Sequence, residues 1–124
     1  MIRGIRGATT VLENDDEAIW RETKKCLEEM VQENNVNPND VAHIWFTVTE
    51  DLNAAFPAKA TRMLESEAWT YVPVMCATEI AVPNGLKRCI RIMMTVNTNV
   101  PASDIIHVFQ NEAVQLRPDL AQND

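Results

Sequence analysis

The sequence predicts an α/β (α+β) domain: a mixed five-stranded sheet with helices on one face. Three observations lead there. Short runs rich in apolar and β-branched residues recur at 2–11, 41–49, 69–77, 86–97 and 105–109. A long amphipathic run occupies 15–33, and a shorter helical one 57–65. The order is therefore β-α-β-α-β-β-β, which buries its apolar surface by laying helices against a sheet.

Each element has a local reason. In 2–11, Ile2, Ile5 and Val11 are apolar and Thr9 and Thr10 β-branched, while Gly4 and Gly7 leave room for close approach. Asn14 followed by Glu17 reads as a capping box, and acids in the first turn suit the helix dipole. Ile19, Cys26 and Met30 repeat at helical spacing, as do Trp20, Leu27 and Val31, and Asn34 or Asn35 can take the left-handed cap. Pro38 then forbids helix. "VAHIWFTVT" (41–49) is nearly continuous in apolar residues, the pattern of a strand buried on both faces. Pro57 suits a first helical turn, with Ala60, Met63 and Leu64 expected to point inward. Pro73 assigns "WTYVPVMCA" to a sheet edge or a bulge, and "VPNG" (82–85) is a turn. Pro118 keeps the last segment from being helical.

At 124 residues the chain forms one domain, 1–124, with a flexible C-terminal tail from about 115 to 124. An apolar fraction of 46% argues against disorder. No run reaches the roughly 18–20 apolar residues of a membrane helix, and "MIRGIRGATT" lacks a signal-peptide layout. Cys26, Cys76 and Cys89 are an odd set without CxxC spacing, so disulfides and zinc are poor readings and a reducing cytoplasm is expected. A net charge of −7 argues against nucleic acid as a partner. The acids crowd into 13–33, whereas Lys59, Arg62, Lys87, Arg88, Arg91 and Arg117 hold their own later, a pattern that suits a local anion site. One sheet face is left bare by this architecture, and oligomerisation is the expected cover.

Arg91 poses the sharpest question, because it sits inside "CIRIMMTV" (89–96). A buried, unpaired guanidinium is excluded by its cost. Three readings stay open: an exposed sheet face, a structural carboxylate partner, or a bound anion. Arg6 repeats the arrangement in another strand, and two converging cations repel unless an anion joins them. No GxGxxG or GxxxxGK accompanies these arginines, so a small organic carboxylate fits better than a nucleotide. Lys59 and Arg62 share one helix face, which by itself reads as solvated surface. No GxSxG or HExxH is present. His43 and His107 read as structural strand residues, Cys76 as a small buried thiol, and Glu79 as a surface charge.

Five segments in order resemble one family: "IRGIRGATTV", "FPAKATR" (56–62), "YVPVMCATE" (71–79), "LKRCIRIMMTV" (86–96) and "LRPDL" (116–120). Together they look like the trimeric, monofunctional α/β chorismate mutases, over residues 2 to about 120. That resemblance implies an isomerase converting chorismate to prephenate by a concerted rearrangement, in phenylalanine and tyrosine biosynthesis, with no cofactor and no metal. It implies a homotrimer whose sheets form a barrel-like core, with active sites between adjacent subunits. Arg6 and Arg91 would match the donors to carboxylate and ether oxygen, and Glu79 the acceptor of the ring hydroxyl; these three would be catalytic. Phe56, Ala58, Lys59 and Arg62 would approach from the neighbouring subunit. Val74, Met75, Cys76, Phe109 and Leu116 would complete the substrate site, with Arg117 covering it from a mobile tail. Two positions depart from the family: Phe109 stands where tyrosine is common, and Met75 where threonine is. A separate regulatory domain is absent from the pattern, so little feedback control is expected. Trimeric imine deaminases and a non-catalytic metabolite sensor are the rivals.

Overall fold

Nine residues of the first strand pair with nine of the fourth, and this long antiparallel ladder organises the rest of the chain. The computed structural model describes residues 1–119. The strands are β1 (Ile2–Thr10), β2 (Val41–Val48), β3 (Val74–Thr78), β4 (Cys89–Asn97) and β5 (Val108–Phe109), in the spatial order β3-β2-β4-β1-β5. β4 runs antiparallel to β1 and β2, while β3 and β5 lie parallel to their neighbours at the two edges. The sheet is mixed and five-stranded, as expected. The single α-helix among the described residues, α1 (Asp16–Glu33), packs on one face with the 3-10 helix Pro57–Met63. No helix among the described residues is long and apolar enough to cross a membrane.

The core lies between α1 and the sheet. Ile19, Cys26, Leu27 and Met30 from α1 meet Ile5, Ile44, Phe46, Ile90 and Met94, all fully buried. Gly7 is where helix and strand come closest: a side chain there would collide with the sulfurs of Met30 and Cys26. The other sheet face carries Trp45, Met75 and Met93, which are 41%, 58% and 42% exposed in the single chain.

Several local expectations are corrected. Asp15, not Asn14, caps α1, its carboxylate accepting from the Ala18 amide at 3.1 Å. Asn14 is engaged elsewhere, its Oδ1 accepting from the amides of Asn53 and Ala54. Asn35 takes the left-handed conformation after the helix, φ 50°. β2 is not buried on both faces: Val41, Ile44 and Phe46 face the core while Ala42, His43 and Trp45 are exposed. A register shift between Val41 and His43 lets two residues three apart face the same side, which an unbroken strand forbids.

The second helix is 3-10 and stops at Met63, whose side chain is exposed, because Leu64 turns extended. Residues 69–72, read as strand, belong to or follow another 3-10 helix, Glu67–Tyr71, opened by the Ser66 hydroxyl accepting from the Ala68 amide. Pro73 ends that segment, and β3 begins after it as an edge strand. β4 starts at Cys89 rather than 86, after Arg88 at φ 48°. The last strand shrinks to two residues because Asn34 takes both backbone groups of Ile106, accepting from its N–H and donating to its carbonyl, each at 2.8 Å. A 3-10 helix, Asn111–Gln115, precedes the tail. The tail, expected to be flexible from about 115, is described only to Asp119; residues 120–124 lie outside the described residues.

Candidate active site

The ladder registers decide which side chains share a face. Arg6 lies opposite Met93 and Ala8 opposite Arg91 in the β1–β4 pair. Trp45 lies opposite Met93 and Thr47 opposite Arg91 in the β2–β4 pair. Paired residues point the same way, so Arg6 and Arg91 both rise from the sheet face away from α1, on diagonal positions. Between them is a cavity of about 450 Å³ lined by Arg6, Trp45, Thr47, Arg91, Phe109, Leu116 and Arg117.

Arg91 meets a carboxylate of its own chain. Its Nη2 donates to Glu79 Oε1 at 2.8 Å and its Nε donates to the other carboxylate oxygen. Thr47 Oγ1 donates to the same Oε2 at 2.5 Å, and the Glu79 amide is held by the Val48 carbonyl at 2.8 Å. The Arg91 hydrogen bonds hold the Glu79 carboxyl below the usual carboxylate range, against burial that pushes it up. The same contact raises Arg91 further. Arg91 is thus a fixed cation beside a fixed anion, with about half its side chain still open to solvent.

The base of β4 is pinned by Asp51. Both carboxylate oxygens accept from the Arg88 amide, at 3.1 and 3.0 Å, while Arg88 Nε donates to the Val11 carbonyl. The Thr49 hydroxyl donates to Asp51 and accepts from the Cys89 amide. These bonds set where β4 begins, and so which face Arg91 occupies.

Phe56, Ala58, Lys59, Arg62 and Val74 line a different cavity, of about 500 Å³, with Trp20 and Trp69. Lys59 Nζ sits 4.0 Å from the centre of the Trp20 ring, a cation–π contact. Trp20 Nε1 also donates to the Phe56 carbonyl at 3.1 Å. Cys76 lies against Ala58, whose amide partly offsets the burial that pushes its thiol up. A raised, half-buried thiol is a poor nucleophile. Met75 faces the open side of the sheet and lines neither cavity.

The residues singled out from the sequence therefore fall into two groups within one chain. Arg6, Arg91, Phe109, Leu116 and Arg117 surround one cavity, with Glu79 on Arg91; the Phe56–Arg62 group surrounds the other. Thr47 and Trp45 escaped the sequence reading, because only the register reveals that they share the face of Arg91 and Met93, and so did Asp51, which holds the Arg88 amide at the start of β4. Trp20 was read as a helix-face residue, and nothing local signals its contact with Lys59. At Arg117, Nε and Nη2 donate to the two oxygens of Asp119 at 3.0 and 2.9 Å, on the surface.

Comparison with known proteins bears on this arrangement. The family profile described as chorismate mutase type I matches residues 2–120. A curated relative, chorismate mutase AroH of Bacillus subtilis (strain 168), is 52% identical over 121 residues, covering 98% of this chain and 94% of that protein. Chorismate mutase AroH of Thermus thermophilus is 45% identical over 121 residues, covering 97% of each. Among solved structures, a chorismate mutase from Clostridium thermocellum superposes with a TM-score of 0.85 at 49% identity, over 90% of this chain and 96% of that one.

Proposed function

The chain belongs to the chorismate mutase type I family, and from that premise we propose how its own residues carry out the family's reaction. The protein is an enzyme of aromatic amino acid biosynthesis that isomerises chorismate to prephenate. One C–O bond breaks while one C–C bond forms in the same molecule, so the reaction needs neither a proton transfer nor a nucleophile. Two tasks remain for the protein: holding the folded conformer of a dianion, and stabilising the charge that develops as the ether bond lengthens.

Arg6 and Arg91 perform the first by gripping carboxylate and ether oxygen, with Arg117 closing from the tail, so that the reacting carbons are held near contact. Arg91 performs the second. Its donation to the ether oxygen strengthens as negative charge gathers there, which lowers the barrier rather than merely tightening binding. Glu79 orients the guanidinium and offers its carboxylate to the ring hydroxyl and to the electron-poor ring. The single observation that carries this reading is the shared orientation of Arg6 and Arg91 about one cavity, with Glu79 fastened to Arg91.

The complete site forms between copies of the chain in a homotrimer. Two features support this: the Phe56–Arg62 group lines a separate cavity within one chain, and the sheet face bearing Trp45, Met75 and Met93 is apolar and open. A neighbour's Phe56, Ala58, Lys59 and Arg62 then meet the Arg6–Arg91 cavity, with Val74, Met75 and Cys76 near the seam. The enzyme works in the cytoplasm without metal or cofactor.

Purified protein in metal-free buffer is expected to consume chorismate and yield prephenate, and to sediment at three times the 14.0 kDa chain mass. Chorismate binding without turnover, or full turnover by a species of single-chain mass, overturns the respective half of the reading.

A further inference from the structure

The shortest ladder in the sheet, the two-residue pairing of β1 with β5, leads into the segment that carries Arg117. The Gln110 amide donates to the Ala8 carbonyl at 2.9 Å, closing one rung. With Gly7 paired to Val108 and Ala8 to Phe109, the parallel ladder would next offer the Arg6 amide the carbonyl of Ile106. That carbonyl is taken by Asn34 at the end of α1. The Arg6 amide donates instead to Nδ1 of His107, at 2.9 Å. An imidazole nitrogen thus replaces a backbone acceptor in the strand that holds Arg6.

Such a rung exists only while Nδ1 is unprotonated, so the ring's proton must lie on Nε2. Two charged groups act on the ring: Arg6 from β1 and Arg117 from the C-terminal segment. Asp119 pairs with Arg117, and Asn34, which caps the end of α1, holds the backbone of Ile106 next to His107 without carrying charge.

We infer that His107 is a positioning residue whose neutral imidazole ties the strand of Arg6 to the segment carrying Phe109 and Arg117, and whose protonation unfastens that segment and weakens capture of the anionic substrate. Protonation sets two N–H groups face to face and adds a third cation beside two guanidiniums. The extra positive charge also attracts a dianion, but at a partly solvated site that attraction is screened, whereas the lost rung moves the groups that grip. Burial and the two guanidiniums lower the titration of His107 below its ordinary 6.5, so the enzyme keeps this rung through neutral pH and loses it only below that lowered midpoint.

This inference rests on the assignment of Arg6 and Arg117 to the substrate site. Asparagine can place its Oδ1 near the position of Nδ1 without titrating. The experiment compares kcat/KM across mild acid to mild alkali for the wild type, His107→Asn and His107→Ala. The wild type should fall below a midpoint under 6.5 toward a plateau about tenfold lower, chiefly through KM. His107→Asn should lack that limb, and His107→Ala should be lower by roughly tenfold at every pH. Nitrogen NMR of the wild type should give the Nε2–H tautomer and the same midpoint. An identical acid limb in His107→Asn, or an Nδ1–H tautomer, overturns the inference; if the asparagine variant does not fold, a mismatch between NMR and kinetic midpoints in the wild type does so. Absence of chorismate turnover by the wild type at every pH would instead sink the proposed function.

Discussion

Arg91 Nη2 stands 2.8 Å from Glu79 Oε1, and Nε grips the other oxygen of the same carboxylate. The guanidinium in the middle of an apolar strand is thereby neither orphaned nor free to wander. A two-point pair fixes its plane, and the register fixes its face. Part of the guanidinium stays open to the cavity, which lets one side chain serve both as a partner for Glu79 and as a donor to a ligand.

Replacing Arg91 tests the charge at the leaving oxygen. A neutral isostere should lower kcat by on the order of 10²–10³ or more, the loss typical of one preorganised oxyanion donor. Arg91→Lys should also be poor, since an ammonium cannot keep the fork on Glu79 while reaching the ligand. Steady-state chorismate kinetics measure both, and near-normal turnover in either removes Arg91 from the chemistry.

Glu79 predicts a pH dependence of stability. Its folded carboxyl titrates below the ordinary 4.5, chiefly through its hydrogen bonds with Arg91. A depressed carboxyl stabilises the fold above the unfolded value, and that contribution is lost as pH falls from about 4.5 through the folded value. Thermal melts from neutral to strongly acid pH should fall less steeply for Glu79→Gln than for the wild type across that window. Parallel curves would mean that the pair does not couple to folding.

Arg117→Ala should raise KM more than it lowers kcat, because a surface arginine on the C-terminal segment closes over ligand rather than touching the breaking bond. Asp119→Asn frees the Arg117 fork and should lower KM modestly. A collapse of kcat with KM unchanged in Arg117→Ala would contradict the assignment.

Trp20→Leu removes both the cation–π partner of Lys59 and the donor to the Phe56 carbonyl. The contact with Lys59 is exposed and worth about 0.5–1 kcal/mol, so the melting temperature should drop slightly. The larger effect should be on KM, since Lys59 and Phe56 lose their orientation. Unaltered KM in a folded variant would show that Trp20 does not orient them.

Gly7→Ala should destabilise the fold by about 1–3 kcal/mol, the usual cost of overpacking a core, because the new methyl meets the Met30 and Cys26 sulfurs. Urea unfolding measures it. Met30→Ala combined with Gly7→Ala should recover part of the loss relative to the sum of the singles, since it vacates the collision.

Much of the architecture was legible locally. Helical spacing of Ile19, Cys26 and Met30 located α1, Pro73 located an edge strand, and Asn35 took the left-handed turn after the helix. What misled were residues whose role depends on distant partners. Asn14 has the chemistry of a cap but is drawn to the loop at 53–54. Trp69 and Val72 have the composition of a strand but pack their side chains inward around a 3-10 helix. The unbroken apolar run at 41–49 conceals a register shift, which no count of hydrophobic residues detects. The arginines were conspicuous because a cation in an apolar strand is costly without a partner, while Thr47 and Asp51 were not, because hydroxyls and acids near strand ends are common.

The sequence by itself determined most of the elements and their order, and that Arg91 must reach water, a carboxylate or a bound anion rather than lie buried alone, since periodicity and the cost of desolvating charge are properties of a short stretch of chain. Only the tertiary structure decided that the two arginines face the same cavity, that Glu79 is the partner of Arg91, and that the Phe56–Arg62 group lies apart from them. Those are matters of register between strands far apart in the chain, where a slip of one residue reverses every side chain.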